Sequence, residues 1–285
     1  MQAYTGFAQV YDMFMDNIPY DEWCEYLKQL LSEYGVKDGI VLDLGCGTGN
    51  ITSRLSKSGY DMIGIDNAEE MLSIAMEKAM DEEDNILYLL QDMREFELYG
   101  TVSAVVSICD SMNYIMEEED LLKVFRLVNN YLDSHGVFIF DMNTEYKYKT
   151  ILANNTIAEN RPNGSFIWDN YYYPEERINE YDLTIYVKED FGDEDLNLSE
   201  ENDADEDSDY EESYEEEGQV FYRFDEKHYQ KAYSLDMVKS LLEKAGLEFV
   251  CAYDAFTHNP ATETSERIYI IARETHQDNK FYTNE

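Results

Sequence analysis

The sequence predicts an α/β protein: a mostly parallel sheet with helices on both faces, carrying a small antiparallel β insertion. Three observations predict it. Strand-like apolar runs alternate with helix-like segments between residues 40 and 141. A glycine-rich turn joins the first strand to the first helix of that series. The alternation breaks at about residue 143, where aromatic and β-branched runs follow one another, and a helix and two strands close the chain from residue 234. Alternating strands and helices build parallel sheets, because parallel neighbours need a crossover, usually a helix.

The first strand is Ile40-Val41-Leu42-Asp43-Leu44, and it runs into Gly45-Cys46-Gly47-Thr48-Gly49-Asn50. Four branched apolar residues around one aspartate read as a buried parallel strand, and the glycines as a turn where backbone approaches a ligand closely. Such a turn commonly cradles a nucleotide-like cofactor at a helix N-terminus. The dinucleotide fingerprint requires glycine or alanine at the sixth position of G-x-G-x-x-G, and here Asn50 stands there. Asp43, two residues before the first glycine, suits a ligand bearing an ammonium group and sits poorly beside a pyrophosphate. The run Leu42 to Gly49 resembles the signature of class I methyltransferases that use S-adenosylmethionine (AdoMet). A purely structural glycine turn and an NAD site are the competing readings.

The remaining elements follow in order. From Trp23 to Leu31 the spacing suits an amphipathic helix, and Tyr4, Phe7, Ala8, Tyr11 and Asp12 ahead of it have helical spacing too. A helix runs from Asn50 to a stop at Gly59, and Met62 to Ile65 form a second strand ending on Asp66. Asp66 follows Gly45 by about twenty residues, where a carboxylate binds ribose hydroxyls in doubly wound folds. The helix from Ala68 to Met80 places Met71, Leu72, Ala75 and Ala79 on one face. Ile86 to Leu90 and Val102 to Ile108 are the third and fourth strands, and a helix over 118–132 follows. Gly136 then turns the chain into a fifth strand, Val137 to Asp141. Asp43, Asp66, Asp92, Asp110 and Asp141 thus fall at or near the carboxyl ends of successive strands, the ligand crevice of an open parallel sheet. Five in register form an acidic mouth suited to a cationic sulfonium. One aspartate alone would be a helix cap or turn residue.

Residues 143–233 read as an inserted sheet of three strands, Ser165 to Tyr173, Ile178 to Val187 and Val220 to Tyr233, with a turn at Pro174. The tract Glu189 to Glu217 carries 17 acidic residues and no Lys or Arg. It cannot bury enough apolar surface to order itself, so a disordered loop is expected. It offers no EF-hand spacing for calcium. Ser234 caps a helix with Met237, Val238, Leu241, Leu242 and Ala245 inward and Gly246 as its stop. Leu247 to Phe256 and Arg267 to Ala272 are closing strands, and 274–285 is a frayed tail. The chain divides into cap helices and cofactor core (1–142), inserted lid (143–233) and the rest of the core (234–285).

The resemblance covers residues 40–142 by motif and 234–273 by pattern. It implies a Rossmann-like fold with a seven-stranded sheet and an inserted substrate lid. By it, Asp43, Gly45 and Gly47 serve the methionine moiety, Asp66 the ribose, and Asp92 with Met93 the adenine. Cys109 or Asp110 flanks the methyl donor, Tyr11 contacts the cofactor from the N-terminal segment, and Cys46, Asn67 and Met71 complete the cofactor set. Cys109-Asp110-Ser111-Met112-Asn113-Tyr114, Phe7-Ala8-x-x-Tyr11-Asp12 and His228-Tyr229-Gln230-Lys231-Ala232-Tyr233-Ser234 look like a bacterial subgroup near enzymes that methylate amino sugars, glycine and similar small amines.

Methyl transfer from a sulfonium is an in-line displacement in which the protein mainly aligns donor and acceptor, so a strong base is optional. His228 is the first choice for a base, with Tyr229 or Tyr114 positioning an amine; a packed strand residue is the plainer role for His228. Trp168 and Tyr171 to Tyr173 would stack on a substrate or pack the small sheet.

Composition narrows the partners. The chain has 285 residues and a formal charge of −41, which repels nucleic acid and anionic membranes unless a local basic patch overrides it; none is visible in the sequence. No apolar run is long enough to span a bilayer, and Asp12, Asp16 and Asp21 interrupt any signal-peptide layout. Cys24, Cys46, Cys109 and Cys251 are widely spaced, as expected of reduced thiols in the cytoplasm without a metal site. The leading expectation is therefore an AdoMet-dependent methyltransferase for N or O of a small soluble molecule, monomeric or homodimeric. The alternatives are an RNA or protein methyltransferase docked through a partner, and a non-catalytic AdoMet-binding scaffold or sensor.

Overall fold

The computed structural model describes residues 8–15, 18–188, 219–276 and 280. Two helices, α1 (Ala8–Phe14) and α2 (Tyr20–Glu33), precede the core. Then come β1 (Ile40–Leu44), α3 (Asn50–Lys57), β2 (Asp61–Asp66), α4 (Glu69–Asp81), β3 (Leu87–Leu90), β4 (Val102–Ser107), α5 (Glu118–Tyr131) and β5 (Leu132–Asn143). The inserted strands are β6 (Thr156–Arg161), β7 (Gly164–Tyr173), β8 (Ile178–Lys188) and β9 (Phe221–Lys231). The chain returns through α6 (Leu235–Ala245), β10 (Leu247–Asp254) and β11 (Arg267–Glu274).

The main sheet has seven strands in the order β10-β11-β5-β4-β1-β2-β3. It is parallel from β5 to β3, whereas β11 pairs antiparallel with both β5 and β10. Both faces are covered, which is why the strands read as unbroken apolar runs. Along β5, Phe138 and Phe140 pack towards α5 and α6, while Val137 and Ile139 pack towards α2. On α2, Leu27, Leu30 and Leu31 are fully buried at the expected helical spacing. Chain order reverses at β1, whose neighbours are β2 and β4, so the crevice opens at that switch point.

The Ser234 hydroxyl accepts the Met237 N–H, and Gly246 stops α6 at φ +84°. Ser234→Ala is expected to lower stability by about 1 kcal/mol in chemical denaturation, with no change in cofactor binding.

Four expectations about the fold need correction. The fifth strand begins at Leu132, directly after α5. Gly136 lies inside β5 at an irregularity in its pairing with β4, with His135 at φ +63° beside it. The inserted sheet has four antiparallel strands, β6-β7-β8-β9, rather than three. Pro162 and Asn163 form the two-residue turn between β6 and β7. Pro162 at the first loop position is the turn signal that marks the end of β6. The final strand also extends to Glu274, which is fully buried; its carboxylate accepts the His135 and His276 N–H groups and pairs with Lys280 at 3.1 Å. Residue 274 is therefore anchored, not frayed. Finally, β10 ends at Asp254, and Phe256 (φ +60°) leaves the sheet to stack on Trp23 at 5.2 Å. The acidic tract lies outside the described residues, as do Tyr4 and Phe7.

Candidate active site

The glycine turn forms the floor of a cavity of about 340 Å³. Gly45, Gly47 and Gly49 have φ of +83°, +54° and +76°, values at which a side chain strains the backbone. They are not equivalent. A Cβ on Gly45 would come within 2.8 Å of the Ser111 Cβ, so this glycine lets the turn following β4 close in. A Cβ on Gly47 would meet no protein atom within 4 Å. The space above Gly47 is the cavity itself, as expected where a ligand lies on bare backbone. Gly47→Ala should therefore fold, losing about 1–2 kcal/mol to left-handed strain, and bind AdoMet roughly tenfold or more weakly by calorimetry. Gly45→Ala should lose more stability, because its methyl group also clashes.

Three carboxylates line the cavity. Asp43, 2 % exposed, accepts a hydrogen bond from the Thr52 hydroxyl at 2.7 Å. Burial, and then the neighbouring Asp66, push its carboxyl up to about 7. Asp66, at the end of β2, accepts the Gly47 N–H at 2.8 Å and the Ala68 N–H at 2.9 Å. Burial raises its carboxyl from the ordinary range, and those N–H groups oppose the rise. Asp92 is held low by Arg94, whose guanidinium approaches to 2.5 Å. Tyr11, Cys46, Asn67, Met71, Met93, Cys109 and Tyr114 also line the cavity, as do Gly45 and Gly47. Tyr11 packs beside Ala68 and Met71 and shares a hydrogen bond with Tyr20. Burial holds both phenols above their ordinary range, and the Cys46 and Cys109 thiols likewise.

Three expected site residues sit elsewhere. The Asp110 side chain is turned away from the cavity lining. Cys109 and Asp110 both have left-handed φ, +60° and +56°. The Asp141 carboxylate holds this turn by accepting the Cys109 N–H at 3.1 Å and the Asp110 N–H at 2.7 Å. Arg267 reaches from β11 and donates to Asp141 and Asp110 at 2.6 Å each. The acidic mouth is thus less anionic than five aspartates in register suggest, because Arg267, shared by Asp110 and Asp141, and Arg94, on Asp92, offset two of the five charges. Tyr229 is 41 % exposed, since strand alternation on β9 sends it outward while Glu226, His228 and Gln230 face inward. His228 is buried but does not line the cavity. Its Nε2 lies 3.1 Å from Glu226, and its ring meets that of Tyr114 edge-on at 6.0 Å between centroids.

The inserted sheet is docked against the crevice. Gln230 donates to Asp110 at 2.6 Å and accepts hydrogen bonds from Tyr148 and Tyr181. Asn113 donates to the Lys231 carbonyl at 2.9 Å. Among the aromatics of this sheet, Trp168 packs edge-on against Tyr181 and Tyr172 stacks on Tyr148, whereas Tyr171 and Tyr173 are exposed.

Sequence reading missed Tyr20, Thr48, Asn50, Arg94, Ser111 and Ile115 in the lining. Thr48 and Asn50 were within its reach, being part of the turn; the others come from separate elements brought together by folding. Folding also gathers Arg94, Lys123 and Arg126 around a shallow recess beside the cavity, although Asp92 and Asp120 pair with the first two.

The strand order, the antiparallel β11 and the cavity over an acidic glycine turn define a class I AdoMet-dependent methyltransferase. Its bare glycine floor and its paired carboxylates, Asp43 and Asp66, fit that cofactor. The chain belongs to this family: residues 41–136 match the family model described as a methyltransferase domain. It is 31% identical over 273 residues to the putative methyltransferase YqeM of Bacillus subtilis, covering 95% of this chain and 97% of that one. A solved S-adenosylmethionine-dependent methyltransferase from Clostridium acetobutylicum is similar along 95% of this chain and 98% of its own, at 26% identity and a TM-score of 0.76. CalS10, an amino pentose methyltransferase from Micromonospora echinaspora solved with SAM bound, shares the fold at 13% identity, with a TM-score of 0.67 and coverage of 93% and 97%.

No helix among the described residues is long and apolar enough to cross a membrane.

Proposed function

We propose that this methyltransferase acts on N or O of a small soluble acceptor, bound between the cofactor cavity and the inner face of the inserted sheet. The observation that carries this reading is the docking of that sheet onto the turn following β4 through Gln230 and Asp110. A sheet docked there would cover a small acceptor and exclude water from the transfer. The acidic charge of the chain favours a neutral or cationic acceptor over a polyanion. CalS10, which shares the fold, is named for an amino sugar, and a small amine is compatible with that likeness.

The cofactor supplies an electrophilic methyl group. The chain's residues bind and orient. Asp43 and the Gly45–Gly47 backbone hold the methionine end, Asp66 the ribose, and Asp92 with Met93 the adenine. Tyr11 and Cys109 wall the methyl side, with Asn67, Met71 and Cys46 packing around it. Tyr114 positions the acceptor atom, and His228, held by Glu226 and packed behind the Tyr114 ring, orients that tyrosine. Residues 143–233 act as the lid and 1–142 with 234–285 as the core.

Calorimetric titration of AdoMet tests the site. Wild type should bind, and Asp66→Ala should lose about 1–3 kcal/mol of binding free energy. Screening small amines and hydroxyl compounds for methylated product then tests the acceptor class. Binding without transfer to any of them, together with transfer to RNA or a protein, would overturn the small-molecule reading.

A further inference from the structure

Asp12 follows Tyr11 in the Phe7-Ala8-x-x-Tyr11-Asp12 segment. Tyr11 lines the cavity, but Asp12 points to the neighbouring turn. Its Oδ1 accepts the Thr48 hydroxyl at 2.8 Å and the Asn50 side-chain amide at 2.8 Å. Its Oδ2 pairs with the Lys78 ammonium at 2.5 Å. Lys78, on α4, donates in turn to the Thr48 carbonyl at 3.1 Å and the Asn50 Oδ1 at 3.3 Å. One carboxylate on α1 therefore gathers donors from the glycine turn and from α4. Asn50 is also the residue that occupies the sixth position, where a dinucleotide-binding turn carries glycine. Its side chain supplies one arm of this junction.

The last residue of α1, two beyond Asp12, is fastened differently. Phe14 packs edge-on against Phe166 of the inserted sheet at 4.9 Å, and Arg161 lies over its ring. Helix α1 thus touches both the inserted sheet and the glycine turn, and Tyr11, over the cavity, lies on the far side of Asp12 from the Phe14 attachment. The Phe14 attachment is apolar and buried. The Asp12 attachment is polar and about a third exposed, so water can compete for its hydrogen bonds, and it is the attachment that can release, with Phe14 as the pivot.

We propose that Asp12 is a latch: a positioning residue that holds α1, and with it Tyr11, closed across the AdoMet site, and whose release admits and discharges the cofactor. A latch has a kinetic signature different from that of a ligand contact. Loss of a contact speeds dissociation alone. Loss of a latch opens the passage in both directions, so association and dissociation both accelerate and Kd changes less than either rate.

Stopped-flow binding and displacement of S-adenosylhomocysteine, read by intrinsic fluorescence, would measure both rates in wild type, Asp12→Ala, Asp12→Asn and Lys78→Met. Asp12→Ala is expected to dissociate the ligand about tenfold faster and to bind it several-fold faster, in proportion to the charge-assisted hydrogen bonds removed. Asp12→Asn and Lys78→Met should fall between wild type and Asp12→Ala, since each removes the ion pair and leaves the Thr48 and Asn50 donors an acceptor. Hydrogen exchange should show lost protection over residues 11–14, with β1 and β4 unchanged. Unchanged rates would overturn the latch. Faster dissociation with an unchanged association rate would also overturn it, making Asp12 a support of the glycine turn. A folded wild type that binds no ligand would overturn both the latch and the placement of the site.

Discussion

Arg267→Ala is expected to lower the unfolding free energy by about 3–5 kcal/mol, because it leaves a buried carboxylate without its cation. Asp141 is fully buried and Asp110 largely so, and the guanidinium contacts both at 2.6 Å while lying over the Trp23 ring. Burial already pushes the Asp141 carboxyl upward, and Arg267 is the main opposing influence. Without it, Asp141 would take up a proton and weaken its hold on the Cys109 and Asp110 N–H groups. That turn is left-handed at two successive non-glycine residues, so it depends on those contacts. Chemical denaturation of Arg267→Ala and Arg267→Met would measure the loss. A change below about 1 kcal/mol in both variants would show that the pair adds little, as is common for exposed ion pairs.

The second large effect concerns pH. In the free protein the Asp43 carboxyl is pushed up to about 7 from the ordinary 3.8. A carboxyl raised on folding favours the folded state while it is protonated. Its contribution is fully present below the ordinary value and is lost as the pH rises towards 7, at about 1.4 kcal/mol per pH step of one. Across that window the free protein should lose on the order of 4 kcal/mol from this group. Cofactor binding should show the opposite slope. An ammonium group needs the ionised carboxylate, so AdoMet affinity should climb about tenfold per pH unit up to 7 and then level off. Asp43→Asn should flatten both profiles while keeping the Thr52 hydrogen bond. Calorimetry and thermal melts from pH 5 to 8 would measure the two slopes; parallel slopes would show that another group governs binding.

The glycine-turn side of the cavity was legible because it is local in the chain. Gly45, Cys46, Gly47, Asp43, Asp66, Asn67, Asp92 and Met93 follow strands whose apolar runs are unmistakable, and a parallel sheet brings successive strand ends to one edge. Helical spacing placed Met71 on the inward face of its helix, and the resemblance alone assigned it to the cofactor. The inserted-sheet side was less legible. His228 and Tyr229 are adjacent in sequence, and only the register of β9 against β8, with Tyr181 opposite His228, decides which one faces inward. A slip of one residue would exchange them. Strand β6 was hidden by its polar composition, Thr156 to Arg161, on an edge where neither face is deeply buried.

The sequence by itself determined the fold class, the order of the core elements and the cofactor, because periodicity and a glycine turn are properties of neighbouring residues. The tertiary structure alone decided the electrostatics. Five aspartates in register read as one acidic mouth, but Arg267 and Arg94 come from distant or unremarkable positions, pair with three of them and offset two of the charges. It also revealed what joins the parts: Gln230 on Asp110, and Asp12 on Thr48, Asn50 and Lys78. Those partners are separated by 30 residues or more, and no local pattern specifies a side-chain pair at such a distance.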